Sequence, residues 1–297
     1  MGRTCAGRVV VVTGAGRGLG RAHALALAAA GATVVVNDLG ARVDGSGSSD
    51  DPAGEVVAAI RAAGGDAISN GDDVADWNGA RHLVEGTIER FGRLDVLVNN
   101  AGILRDRMLV NMSVEEWDDV VRVHLRGTFA PCRWALAHWR KRAKSGEQVD
   151  ARLINTTSAS GLFGNVGQAN YTAAKAGIAA FTLVLADEAV RYGVSANAVA
   201  PAARTRMTAE LDLPGSTDAD DPYSPERVAP LVVWLAGAAP REVTGRVFLA
   251  GGPHGLSVAE GWQRGPAVDT GPHPTPDDVA RLAPGLLERS RPRCLIG

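Results

Sequence analysis

Three residues near the middle of the 297-residue chain, Ser158, Tyr171 and Lys175, have types and spacing that suit a single proton transfer. Tyr171 and Lys175 stand four apart in a stretch that reads as helix, so they share one face. A phenol titrates near ~10 in water, too high to exchange protons readily at neutral pH. An ammonium held beside it favours the phenolate and lowers that value. Ser158 follows the apolar run Arg152-Leu-Ile-Asn-Thr-Thr157. If that run is a strand, the serine leaves its carboxyl end and faces the start of the next helix. The expected trio is a serine that polarises a hydroxyl, a tyrosine acid/base and a lysine that tunes it. Elsewhere a Tyr and a Lys at this spacing are a packed aromatic and a solvated amine, so the weight falls on a second motif.

That motif lies near the N-terminus. The β-branched run Arg8-Val-Val-Val-Val-Thr13 enters Gly14-Ala-Gly-Arg-Gly-Leu-Gly20 and then an alanine-rich helical stretch. A turn with glycines at 14, 18 and 20, carrying Arg17 and Leu19, lets backbone N–H groups and a helix N-terminus approach a pyrophosphate. The spacing is Thr-Gly-x-x-x-Gly-x-Gly, wider than the general dinucleotide fingerprint. Asp38 ends the next apolar run, Ala32-Thr-Val-Val-Val-Asn-Asp38, roughly where an acidic side chain meets an adenine-ribose diol. A carboxylate there repels the extra phosphate of NADP, whereas Arg17 would attract it. An uncompensated like-charge contact costs several kcal/mol, so NAD is the expected cofactor. The competing reading of Asp38 is a strand-ending turn residue.

These groups need a scaffold that brings strand ends together. The first unit is strand, helix, strand over about thirty residues. Residues 40–53 are rich in Gly, Ser and Asp and read as a loop. Helix 54–63, strand 66–70, helix 75–91 and strand 94–99 continue the alternation. Ser113-Val-Glu-Glu116 is a capping box opening a helix to about Trp139, with a kink expected at Pro131. Strand 152–157, helix 170–191, strand 194–199, helix 225–237 and strand 245–250 follow. The expected fold is α/β: a Rossmann-like doubly wound parallel sheet of about seven strands with helices on both faces. Residues 1–252 form this domain. Residues 253–297, rich in Gly and Pro, read as an extension packing on it or on a partner subunit. Its last helix starts at Thr275-Pro-Asp-Asp-Val.

Apolar residues make up 45% of the chain and charged residues 22%, which suits a soluble domain with a sizeable core. A net charge of −2 gives no reason to expect nucleic acid or an anionic membrane. Cys5, Cys132 and Cys294 are odd in number and far apart, so neither a disulfide framework nor a thiolate site is suggested. The histidines lack ligand spacing and no metal is expected. Without a signal peptide or membrane span, a cytoplasmic location is expected. Cys294-Leu-Ile-Gly297 has the form of a prenylation box, but its last residue is atypical.

The glycine turn, Asn99-Asn-Ala-Gly102 and Ser158/Tyr171/Lys175, in this order, resemble the short-chain dehydrogenase/reductase family over about residues 7–252. Longer stretches look closer to the (3R)-hydroxyacyl-CoA dehydrogenase unit of peroxisomal multifunctional enzyme type 2 and to bacterial hydroxysteroid/hydroxyacyl-CoA dehydrogenases. They are Val35-Val-Asn-Asp-Leu-Gly40, Asn99-Asn-Ala-Gly-Ile-Leu-Arg-Asp-Arg107, Val123-His-Leu-Arg-Gly127 and Gly164-Asn-Val-Gly-Gln-Ala-Asn-Tyr171. The resemblance implies Tyr171 as general acid/base, Ser158 holding the substrate oxygen, and Lys175 lowering the tyrosine's pKa while binding the nicotinamide ribose. It implies Asp73 and Val74 against the adenine, and Asn100, Ala101, Gly102 and Pro201 along the cofactor. His124 stands where the family's water-anchoring asparagine is usual. Its two readings are a proton relay that titrates near physiological pH and a packed core histidine. Ala202 replaces the usual glycine after Pro201, and Arg206 replaces a common threonine. Arg204 or Arg206 could meet a CoA phosphate or pair with a local acid. Residues 203–224 form the expected substrate lid.

The resulting expectation is an NAD-dependent dehydrogenase acting on a secondary alcohol of an acyl-CoA or steroid-like substrate, assembled as a homodimer or homotetramer. An NADPH-dependent 3-oxoacyl reductase is the nearest rival. A non-catalytic dinucleotide-binding scaffold is the rival from another class.

Overall fold

The computed structural model describes residues 3–47, 51–208, 221–237, 239, 241–253, 255–260, 266–268 and 276–289. Every strand expected from the β-branched runs forms: β1 (Val9–Thr13), β2 (Thr33–Asn37), β3 (Asp66–Asn70), β4 (Val96–Asn99), β5 (Ala151–Thr156), β6 (Val194–Ala202) and β7 (Val247–Gly251). An eighth, β8 (Leu256–Ala259), lies in the Gly- and Pro-rich segment after residue 252. The sheet order is β3-β2-β1-β4-β5-β6-β7-β8. The first seven strands run parallel, and β8 pairs antiparallel with β7.

Both faces of the sheet are covered, which is why β1 is buried throughout and reads as unbroken valine. Val10 and Val12 point into one apolar core with Leu27, Ile60 and Leu235. These come from α1 (Gly18–Ala29), α2 (Pro52–Ala62) and α8 (Ala229–Ala236). Val11 points the other way, toward Leu83, Trp139 and Leu185. These belong to α3 (Trp77–Phe91), α5 (Gly127–Lys144) and α7 (Ala169–Ala189). Short polar caps fix the entries. Asp51 accepts from Gly54 N at 2.8 Å, so α2 begins two residues earlier than expected, and Asp76 accepts from Gly79 N at 2.7 Å.

The expected long middle helix is interrupted. After α4 (Val114–Val121), capped by Ser113 and Glu116 as expected, Arg122–Arg126 form a π-helical turn that leads into α5. Pro131 has no N–H to offer Gly127 O. The irregularity therefore falls in the turn before the proline, and α5 continues through it to Lys144. A short helix, α6 (Ala159–Phe163), precedes α7, and α9 (Pro276–Arg289) is the last. Residues 209–220 of the expected lid, Trp262, Thr275 and Cys294 lie outside the described residues.

Candidate active site

Strand order reverses between β1 and β4, and the crevice beyond their carboxyl ends is the binding place such a sheet offers. Gly14 (φ 62°) and Gly18 (φ 51°) occupy left-handed backbone that favours glycine. A Cβ on Gly14 would lie 2.8 Å from Ala101 Cα, so its absence lets the turns after β1 and β4 close together. Asn100 stitches them. Its side chain donates to Thr13 O (3.0 Å) and Gly14 O (3.1 Å), while the Asn100 and Ala101 amides donate to Thr13 Oγ1 at 2.9 and 3.1 Å. The Asn100 amide group thus builds the cleft from behind. Arg17 precedes α1 without a side-chain cap, so the first amides of that helix face the same crevice.

Asp38 follows β2, and its two oxygens accept from Gly16 N and Gly40 N, each at 2.8 Å. The carboxylate thus ties its own turn, as a strand-ending turn residue does, and it also lines the cleft. The residues expected of the glycine turn, the pair Asp73-Val74 and Asn100 to Gly102 line that cleft too. Asp73 pairs with Arg122 at 2.9 Å. Pro201, in β6, and the Tyr171–Lys175 pair stand outside this lining.

Ser158 leaves β5 and caps α6, accepting from Ser160 N at 3.1 Å. Its side chain lies close enough to Tyr171 to act on the phenol, pulling its pKa down. Lys175 is buried, donates from Nζ to Thr156 O at 2.7 Å, and lies 5.5 Å from the Tyr171 ring centroid. Thr157 Oγ1 donates to Lys175 O at 2.7 Å, which fixes α7 to the end of β5. The trio therefore converges, but its electrostatics differ from the expected lowering of the phenol. Burial pushes Tyr171 up to about 12, against a smaller lowering by Ser158. Burial also brings Lys175 down to about 7. Each group's own withdrawal from water is the leading cause of its shift.

His124 sits in the π turn, fully enclosed, with its ring edge-on to Tyr171 at 5.1 Å between centroids. Its Nε2 lies 2.7 Å from Ile103 O and 3.1 Å from Ile103 N, so the Ile103 backbone holds the ring in either tautomer. Nδ1 is buried without a hydrogen-bond partner. Burial first, and the Lys175 charge second, hold this imidazole well below its ordinary value. Both effects act against a titration of this ring near physiological pH. Packing is tight: a Cβ on Gly102 would overlap His124 Cε1.

Sequence reasoning missed the polar cluster at the start of α7. Gln168 Nε2 donates to Asp106 Oδ2 at 2.7 Å, and Gln168 Oε1 accepts from Ser160 Oγ at 2.9 Å. Asn170 donates to Arg105 O and to Glu116 O, each at 3.0 Å. The one available signal was the Gln and Asn just before Tyr171, which lie in a stretch quoted for the family resemblance but were given no role of their own. Arg204 pairs with Asp221 at 3.0 Å, the local-acid alternative, whereas Arg206 lines the cleft beyond β1 and β4. Among the described residues no three His, Cys, Asp or Glu side chains gather to hold a metal, and no helix is long and apolar enough to cross a membrane.

The family described as short chain dehydrogenase matches residues 8–214. The Mycobacterium tuberculosis protein named hydroxyacyl-CoA dehydrogenase ChsB1 is 50% identical over 254 residues, 84% of this chain and 78% of its own. The peroxisomal multifunctional enzyme type 2 of Mus musculus is 48% identical over 229 residues, 77% of this chain but 30% of its own. The chain thus corresponds to under a third of that larger relative. A crystal structure of a short chain dehydrogenase from Mycobacterium avium superposes with a TM-score of 0.88 at 52% identity, covering 99% of both chains. Agreement over this length, in sequence and in backbone, makes the chain a member of the short chain dehydrogenase family.

Proposed function

We propose that this oxidoreductase oxidises the secondary alcohol of a 3-hydroxyacyl-CoA or of a similarly bulky apolar substrate, with NAD as the hydride acceptor. The observation that carries the reading is the convergence of Ser158, at the carboxyl end of β5, with Tyr171 and Lys175 of α7, the Lys175 amine lying 5.5 Å from the centre of the phenol ring and anchored on Thr156 O. Tyr171 Oη takes the proton of the substrate hydroxyl, and Ser158 Oγ holds the oxygen that loses it. Lys175 keeps a titratable amine beside the phenol, anchored on Thr156 O. The name of the mycobacterial relative supports an acyl-CoA substrate.

A dinucleotide fits the cleft. Gly14 and Gly18 leave backbone where side chains would intrude, α1 presents its N-terminal amides, and each Asp38 oxygen keeps acceptor capacity beyond its one backbone bond. Bound there, the cofactor supplies the two-electron chemistry. Asp38 would take the ribose hydroxyls, and the glycine turn and Arg17 would take the phosphates.

An NADPH-dependent 3-oxoacyl reductase is favoured by one observation: Arg17 and Arg206 both line the cleft beside Asp38. Initial rates with NAD and NADP, on 3-hydroxyacyl-CoA chains of several lengths and on 17β-hydroxysteroids, separate the readings. We expect turnover on an acyl-CoA with NAD preferred at least tenfold. A strong NADP preference overturns the reading of Asp38, and absence of turnover across the panel overturns the function. Exposed Phe129, Leu183 and Val184 on α5 and α7 support pairing of these helices across a two-fold axis. Light scattering should then give a dimer or tetramer.

A further inference from the structure

Tyr171 lies in the first turn of α7, where a helix has no carbonyl of its own to offer its backbone amides. Gly167, four residues back, is outside the helix, and its carbonyl takes Arg107 N at 2.7 Å. Gln168 occupies the cap position, but its side chain makes no capping bond. Its Oε1 accepts from Ser160 Oγ at 2.9 Å and Asn165 Nδ2 at 3.0 Å, and its Nε2 donates to Asp106. The Tyr171 amide is met instead by Asn170 Oδ1, at 2.7 Å. Asn170 Nδ2 directs its two hydrogens to Arg105 O and Glu116 O, each at 3.0 Å. The residue is fully buried, and both polar atoms of its side chain have partners. A flipped amide would set its oxygen against two carbonyls, so the orientation is fixed. Aspartate lacks the donors, serine has one hydrogen where two are needed, and glutamine is a methylene too long for a closed site.

We propose that Asn170 is a positioning residue that acts on Tyr171: its amide ties the tyrosine backbone to the loop after β4 and to α4, and so sets where the phenol stands. The proposal rests on the reading of Tyr171 as the acid/base. Lys175, one turn on, is held from another side. Its Nζ donates to Thr156 O and its carbonyl accepts from Thr157 Oγ1, each at 2.7 Å. The pair therefore has two separate anchors: the end of β5 fixes the amine, and Asn170 fixes the phenol. The loop that Asn170 grips also carries Ile103, which lines the cleft and whose backbone holds His124 edge-on to the Tyr171 ring. Without the Asn170 amide, the first turn of α7 loses its tie to that loop and to α4, while the glycine turn and Lys175 keep theirs.

Asn170→Ala removes all three bonds. Its kcat for alcohol oxidation should fall by about tenfold to a hundredfold, the effect of displacing a reacting group by about 1 Å. KM for the alcohol and the dissociation constant for NAD should stay within about threefold. Asp150→Ala, which loosens the arginines at the start of β5, controls for lost stability and should leave kcat unchanged. A second readout needs no turnover: amide hydrogen exchange in the cofactor-free protein. In Asn170→Ala the Tyr171 amide should exchange at least about tenfold faster relative to the amides of β5. An unchanged relative rate overturns the proposal. So does a kcat equal to that of the unaltered protein, a kcat loss matched by Asp150→Ala, or one accompanied by an equal loss of NAD affinity. If no alcohol is turned over by the unaltered protein, the proposed function fails, while the exchange rate still decides whether Asn170 holds the Tyr171 backbone. Should Asn170→Ala not fold, Asn170→Ser keeps a hydroxyl in the same place and must show both effects at smaller size.

Discussion

Lys175→Met isolates what the buried amine costs the fold. Lys175 is 3% exposed and its Nζ makes one protein hydrogen bond, to Thr156 O. Its ammonium form is disfavoured enough to bring the pKa from 10.5 to about 7. Between those values the unfolded chain binds a proton that the folded chain does not, so stability rises with pH across that window. The displacement corresponds to a penalty of about 5 kcal/mol below pH 7, about 2 kcal/mol at pH 9 and under about 1 kcal/mol at pH 10. Methionine fills a similar volume without the charge, but it leaves Thr156 O without that donor, at about 1–2 kcal/mol. Lys175→Met should therefore be more stable than the unaltered protein by about 2–3 kcal/mol at pH 7. That advantage should shrink by about 2 kcal/mol by pH 9. Urea denaturation of the cofactor-free proteins at pH 7, 8 and 9 measures it directly, because every other titration cancels in the difference. A stability difference that does not change with pH would refute the account of Lys175. The variant should also be inactive, since a residue kept at such a cost to stability is kept for function.

Two further outcomes follow from close packing and charge. Gly102→Ala should lower stability by about 1–3 kcal/mol and weaken dinucleotide binding, because its Cβ would overlap His124 Cε1 and displace the imidazole from Ile103. Thermal unfolding and calorimetric titration with NAD would record both effects. Asp150→Ala should cost about 1–3 kcal/mol by urea midpoint with little change in turnover. Asp150 holds Arg8, Arg152 and Arg241 together, and Arg152 is buried, although the partial exposure of Asp150 discounts the full cost of an unpaired buried charge.

Much of the scaffold was legible because β-branched runs buried on two faces leave a plain mark. Val9 to Thr13, Thr33 to Asn37 and Ala151 to Thr156 fall within a residue or two of their expected places. The glycine turn was legible for the same local reason, since positive φ at Gly14 and Gly18 restricts the choice of residue. What escaped depends on contacts distant in sequence. Leu256–Ala259 is short and largely exposed, and it becomes β8 only because β7 offers an edge. The bond from Gln168 to Asp106 spans 62 positions and leaves no periodicity to find. The reversed shift of Tyr171 was hidden for another reason. Spacing of four shows that an amine lies near a phenol, but it does not show that both are withdrawn from water, and here desolvation decides the sign.

The proton-transfer role of one phenol is tested most directly by Tyr171→Phe, which removes Oη and keeps the ring against His124. Turnover of the preferred alcohol should fall by roughly 10² to 10⁴ while the dissociation constant for NAD stays within about threefold. Turnover close to that of the unaltered enzyme, with NAD binding intact, would contradict the assignment of Tyr171 as the acid/base.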